Sequence, residues 1–73
     1  MMYVWSSNAL ADWGKGTIAV VASSVEEARR KAWERAEEYC KDAYDEDELR
    51  ANFVADIASE PREMDVLFIH GSA

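Results

Sequence analysis

Five carboxylates, Asp42, Asp45, Glu46, Asp47 and Glu48, crowd into residues 42–48 of the chain. Acids this dense can bind a cation, cap a helix, or present a negative surface to a basic partner. The cation reading is the poorest, because Asp45-Glu46-Asp47-Glu48 lacks the turn glycine and the final acid that a calcium loop places at fixed spacing. Capping explains some of the acids but not all of them. Asp42 stands at the predicted C-terminal end of a helix, where a negative charge opposes the dipole. Carboxylates on adjacent helical turns lie ~5–6 Å apart, close to the phosphate spacing along one nucleic-acid strand. Such a run can occupy the Lys/Arg groove that a nucleic-acid-binding protein uses for the backbone. A second candidate is the loop Asn8-Ala9-Leu10-Ala11-Asp12-Trp13. There Trp13 is either a binding anchor or a lid over one end of a small core, and Asp12 beside it is a candidate partner-binding residue.

Residues for catalysis are few. His70 and Cys40 are the single histidine and cysteine. Cys40 falls on an apolar helical stripe, where a thiol is a packing residue, and His70 follows the last predicted strand at its solvent edge. No Ser-His-Asp set can be assembled with specificity. Trp13-Gly14-Lys15-Gly16 precedes a strand, not a helix, so it does not meet the requirement for a dinucleotide-binding turn. The expectation is a binding protein, not an enzyme, with no metal and no cofactor.

The elements that must position these residues have little chain to work with. Seventy-three residues make one domain, 1–73, with a thin core. At 49% hydrophobic and 11% aromatic the chain is too apolar for a disordered tail. One cysteine excludes an internal disulfide, which suits a reducing compartment. Neither a membrane span nor the pattern of a signal peptide is visible, so the expected location is cytoplasmic.

Charge is distributed unevenly. Residues 1–41 hold six bases (Lys15, Arg29, Arg30, Lys31, Arg35, Lys41) and six acids (Asp12, Glu26, Glu27, Glu34, Glu37, Glu38). Residues 42–73 hold nine acids against Arg50 and Arg62, so the whole net charge of −7 lies there. A one-sided negative field repels nucleic acid and anionic membrane and attracts basic protein surfaces.

Hydrophobic patterning predicts strands at Met2–Ser6 and Thr17–Ala22. A helix follows, with Ser24 as N-cap and Glu27 completing a capping box. Val25, Ala28, Ala32, Ala36, Tyr39, Cys40 and Ala43 recur along its inner stripe, with Trp33 on one flank. Glu26–Arg30, Glu27–Lys31 and Glu37–Lys41 are spaced for ion pairs. A second helix starts near Asp45, with Glu48 as capping partner and Leu49, Phe53 and Ile57 buried beside Val54. Pro61 stops it. Met64–His70 is the last predicted strand, and its unbroken apolar run Val66-Leu67-Phe68-Ile69 predicts either that both of its faces are covered or that it lies centrally in the sheet; the strand order stays open. The expected fold is α+β in the order ββααβ. Two helices pack on one face of a three-stranded mixed sheet, and the last strand runs parallel to the first.

Four segments together resemble small acidic proteins encoded by phages and mobile elements. They are Tyr3-Val4-Trp5-Ser6, Asp12-Trp13-Gly14-Lys15-Gly16, Ser24-Val25-Glu26-Glu27-Ala28-Arg29 and Phe68-Ile69-His70-Gly71-Ser72-Ala73. Such proteins include the anti-CRISPR inhibitors, several of which resemble nucleic acid in charge and block the DNA-binding surface of a CRISPR effector. That group shares no motif, so the resemblance assigns no residue. It implies an inhibitor, monomeric or a small homo-oligomer, acting in the host cytoplasm on a basic nucleic-acid-binding surface without binding nucleic acid itself. Two other readings stand beside it. One is a phage accessory or structural protein whose acidity is incidental. The other is a small-ligand sponge whose positive charge comes from Arg29, Arg30 and Arg35.

Overall fold

The computed structural model describes residues 1–11 and 16–68. Asp12, Trp13, His70 and the end of the predicted last strand lie outside them. In chain order the elements are β1 (Met2–Ser7), β2 (Gly16–Val21), α1 (Val25–Cys40), α2 (Glu46–Ala58) and β3 (Arg62–Met64). The fold is α+β with the order ββααβ, as the patterning predicts.

The sheet is ordered β2-β1-β3 and both pairings are antiparallel. This corrects the expected mixed sheet with a parallel last strand. Counting chain reversals assumes that every helix runs back along the element before it. Here residues 59–61 lead from α2 straight into β3, which enters the sheet against β1 without the extra reversal. Pro61 immediately precedes the new edge strand, a position that proline tolerates because no inner ladder needs its N–H. The strand therefore begins at Arg62, and the apolar run beyond Met64 is not central. Val66 is 65% and Phe68 80% exposed.

The central strand is β1, which explains why Tyr3, Val4 and Trp5 are all buried. Tyr3 pairs with Val20 and Trp5 with Ile18, so these four share the face that carries the helices. Ala28, Ala32, Ala36 and Cys40 of α1 pack on that face as a row at strict i,i+4 spacing. Small side chains bring the helix close to the sheet and leave room for the indole of Trp5. Tyr39 falls just off this row and is exposed, although its ring meets Phe53 edge-on with centroids 5.8 Å apart. Phe53 and Ile57 bring α2 onto the same core, with Leu49 partly buried. Val54 faces outward.

The N-terminus of α1 is capped locally, and the C-terminus of α2 is held by a residue of the other helix. Ser24 Oγ accepts from the Glu27 N–H at 3.2 Å, as a cap should. The Glu27 carboxylate does not close the expected box on Ser24. It takes the Ser23 hydroxyl and pairs with Lys31 instead, and these contacts hold it below the usual carboxylate range. Arg30 pairs with Glu34 in place of Glu26. The C-terminus of α2 carries no base of its own. Arg29 of α1 supplies one, donating to the Ile57 and Ser59 carbonyls at 3.1 and 3.2 Å. Trp5 Nε1 donates to the same Ser59 carbonyl at 2.9 Å, so the central strand, both helices and the start of the last connection meet at one point.

Candidate functional site

The acidic run forms the junction between the two helices. Helix α1 stops at Cys40, and Ala43 N donates to Cys40 O at 3.0 Å across a type II turn. Lys41 occupies the first central position of that turn (φ −60°, ψ 129°) and Asp42 the second, at φ 67°. That position calls for Gly or Asn, and Asp is one of the few other residues that tolerate it. Asp42 therefore does not oppose the dipole from inside the helix, as its spacing suggests. It stands outside the helix and projects its carboxylate from a tight turn.

Asp45 starts α2 as its N-cap residue but makes no side-chain cap hydrogen bond. Its backbone (φ −111°, ψ 47°) is not the extended conformation that swings a capping side chain over the first turn. The expected Asp45–Glu48 capping pair is therefore absent, and both carboxylates stay at the surface. Glu46 turns back to Arg50, with Oε2 to Nη2 at 2.9 Å, which raises the Arg50 pKa further. Asp42, Asp45, Asp47 and Glu48 are exposed and, among the described residues, form no ion pair. Tyr44 lies among them with its side chain fully in solvent, and it shares one shallow depression with residues 45–48. Spacing gave no warning of Tyr44, since it belongs to neither helical stripe. An aromatic between acids in a turn is the signal that marks it.

A second depression joins this junction to the loop after β1. Ala9, Leu10 and Ala11 line it together with Tyr39, Ala43, Asp45 and Leu49. What fixes the loop there is Asp56, a 5% exposed carboxylate on the inner face of α2. Asp56 accepts from the Ser7 hydroxyl at 2.6 Å and from the Asn8 and Ala9 N–H groups at 3.0 Å each. Ser7 Oγ in turn accepts from Leu10 N at 3.1 Å. Leu10 lies so close over Gly16 that a Cβ there would collide with its Cβ and carbonyl oxygen. The base of the predicted binding loop is thus held against the acidic junction, while its tip residues Asp12 and Trp13 lie outside the described residues. Asp56 was legible as an anomaly. It is the polar member of a Phe53, Asp56, Ile57 set at i,i+3,i+4 spacing.

Cys40 is buried, and burial raises its thiol pKa, which keeps it protonated and unreactive. Among the described residues no group of three or more His, Cys, Asp or Glu is placed to hold a metal ion, and no helix is long and apolar enough to cross a membrane. No protein-family model, curated protein or solved structure matches the chain.

Proposed function

We propose that this protein is an anti-CRISPR-like inhibitor that seats its acidic junction in the basic groove of a nucleic-acid-binding host protein and excludes DNA or RNA from it. One observation carries the reading. Asp42, Asp45, Asp47 and Glu48 stand exposed and unpaired among the described residues, around a fully exposed Tyr44, while Glu46 is neutralised by Arg50. Carboxylates without intramolecular partners retain their field for an external cation, and an aromatic at their centre is the kind of residue that anchors an interface. The loop that Asp56 anchors borders the same surface and extends it.

The sponge reading is less well supported, because the arginines it needs are engaged within the chain. Arg29 bonds the end of α2, Arg30 pairs with Glu34 and Arg35 with Glu38. The test is displacement of labelled target DNA from guide-loaded CRISPR effectors in a mobility-shift titration. The proposed inhibitor releases the DNA from at least one effector, and does so less well as salt rises. DNA retained by every effector at saturating protein would sink the proposal.

A further inference from the structure

The two edges of this sheet are protected very differently. Edge strand β3 has three residues, follows Pro61 and carries Arg62 and Glu63, all devices that discourage strand addition. The other edge, β2, runs for six residues as Gly-Thr-Ile-Ala-Val-Val with no charge and no proline. Among the described residues no strand lies beyond it. The bond from Ala22 N to Met1 O fixes the phase of the β1–β2 ladder. Thr17, Ala19 and Val21 then turn their N–H and C=O groups outward. The Val21 carbonyl accepts from Lys31 Nζ at 3.0 Å and keeps a second lone pair to offer.

The surroundings of this edge change along its length. On the helix face an apolar groove of about 330 Å³ runs beside β2, lined by Ile18, Val20, Ala32, Ala36, Tyr39 and Phe53. Lys31 and Arg35 stand along its α1 side, paired within the helix with Glu27 and Glu38. Toward Gly16 the charge turns negative. Leu10 closes over Gly16, and Leu10 and Tyr39 line both the groove and the depression that holds Asp45. Asp45 in turn shares its second depression with Tyr44 and residues 46–48. Asp45, Asp47 and Glu48 are exposed and, among the described residues, form no ion pair. Uncharged edge, apolar groove and unpaired acids are therefore one continuous track.

The geometry points to a docking site for an extended segment of a partner protein, an apolar strand followed by lysines or arginines, which adds to β2 antiparallel. In that orientation the C-terminal end of the added strand lies at Gly16, and the bases that follow it reach Asp45. Residues opposite Thr17, Ala19 and Val21 exchange main-chain hydrogen bonds with them. Those opposite Ile18 and Val20 fall on the helix face and turn their side chains toward the groove. In this mode main-chain bonds supply affinity and alternate side chains supply selectivity. Charge selects the occupant. An acidic tail is repelled by Asp45 and a neutral tail leaves it uncompensated, whereas a basic tail answers carboxylates that have no ion-pair partner among the described residues. Bases at the other end of the strand would meet Lys31. The site shares the acidic junction with the proposed function but requires neither an inhibitor role nor a CRISPR effector, since a chain that displaces no DNA can still take up such a strand.

Fluorescence anisotropy of the labelled peptide Thr-Val-Thr-Val-Thr-Val-Lys-Lys, titrated with the full chain to roughly 1 mM, reads the interaction without a partner protein. The peptide binds saturably. Replacing both lysines with serine weakens it roughly two- to thirtyfold, the loss expected for a pair of exposed ion pairs, and moving them to the N-terminus weakens it at least as much. N-Methylation of the central threonine abolishes binding, because that amide faces β2 at Ala19, whereas N-methylation of a neighbouring valine, whose amide faces away, is tolerated. These changes leave the protein itself unaltered, so its folding does not enter the comparison. Asp45→Asn lowers affinity for the lysine peptide and not for the serine peptide. Absence of binding at the highest concentration overturns the proposal. So does equal binding of the lysine and serine peptides, equal binding with lysines at either end, or equal tolerance of the two methyl groups.

Discussion

Asp42 and Asp56 are both aspartates in the acidic half of the chain, and their surroundings give them opposite roles. Asp42 is held at φ 67°, where a Cβ costs about 1 kcal/mol or more and glycine, having none, escapes that strain. Asp42→Gly should therefore raise stability by roughly 0.5–1 kcal/mol while removing one carboxylate of the junction. A thermal melt combined with a binding titration checks both effects, and a lower Tm would contradict the turn geometry. Asp56 behaves in the reverse way. Replacing it with alanine leaves the Ser7 hydroxyl and two backbone N–H groups without their acceptor, at a cost of about 2–3 kcal/mol. In a domain of this size each kcal/mol lowers Tm by roughly 4–8 °C, so the loss is easily read. An unchanged melt would mean that the loop is not held by this carboxylate. Asp56 could be suspected from its place on the apolar stripe. Its partners in the β1 loop could not, because they lie far away in sequence.

Periodicity located the helices well because each carries its own period. The cap at Ser24, the Ala28-Ala32-Ala36-Cys40 row and the Phe53–Ile57 pair all follow from spacing within one element. The third strand was misplaced because strand position depends on pairing, which local sequence does not encode. The run from Val66 to Phe68 has the composition of a buried strand, yet Arg62–Met64 is what reaches β1. The two phenylalanines should therefore separate. Phe53→Ala costs about 3–5 kcal/mol, and Phe68→Ala, at an exposed site, stays within about 0.5 kcal/mol of wild type. Chemical denaturation of both distinguishes this fold from one with a central C-terminal strand. At the start of α1, Ser24→Ala should cost ~1 kcal/mol. The bond from Ser23, and then that from Lys31, hold the Glu27 carboxyl below its ordinary 4.5. Its contribution is complete above that value and lost as pH falls through the lower folded-state pKa. The Tm difference between wild type and Glu27→Gln should accordingly be present at neutral pH and close in acid below 4.5. A gap that widens in acid would contradict the sign.

At the scale of the molecule, the charge asymmetry visible in the sequence has a spatial counterpart. The acids of residues 42–48 gather where α1 turns into α2, and the loop after β1 borders them. Under the proposed function, that clustering lets the charge of the junction be removed without touching the core. The direct measurement is a salt-dependent titration of a DNA-displaced effector with two sets of variants. One set converts Asp42, Asp45, Asp47 and Glu48 to their amides, and the other converts the exposed helix acids Glu26 and Glu34 to glutamine. Exposed charge pairs contribute about 0.2–1 kcal/mol each. The first set should therefore weaken binding roughly four- to a thousand-fold, with little change in Tm, and flatten the salt dependence, since screening acts on the charges that remain. The second set should leave affinity and salt dependence close to wild type. Equal losses per charge from the two sets, or wild-type binding indifferent to salt, would contradict the acidic junction as the surface through which this protein acts.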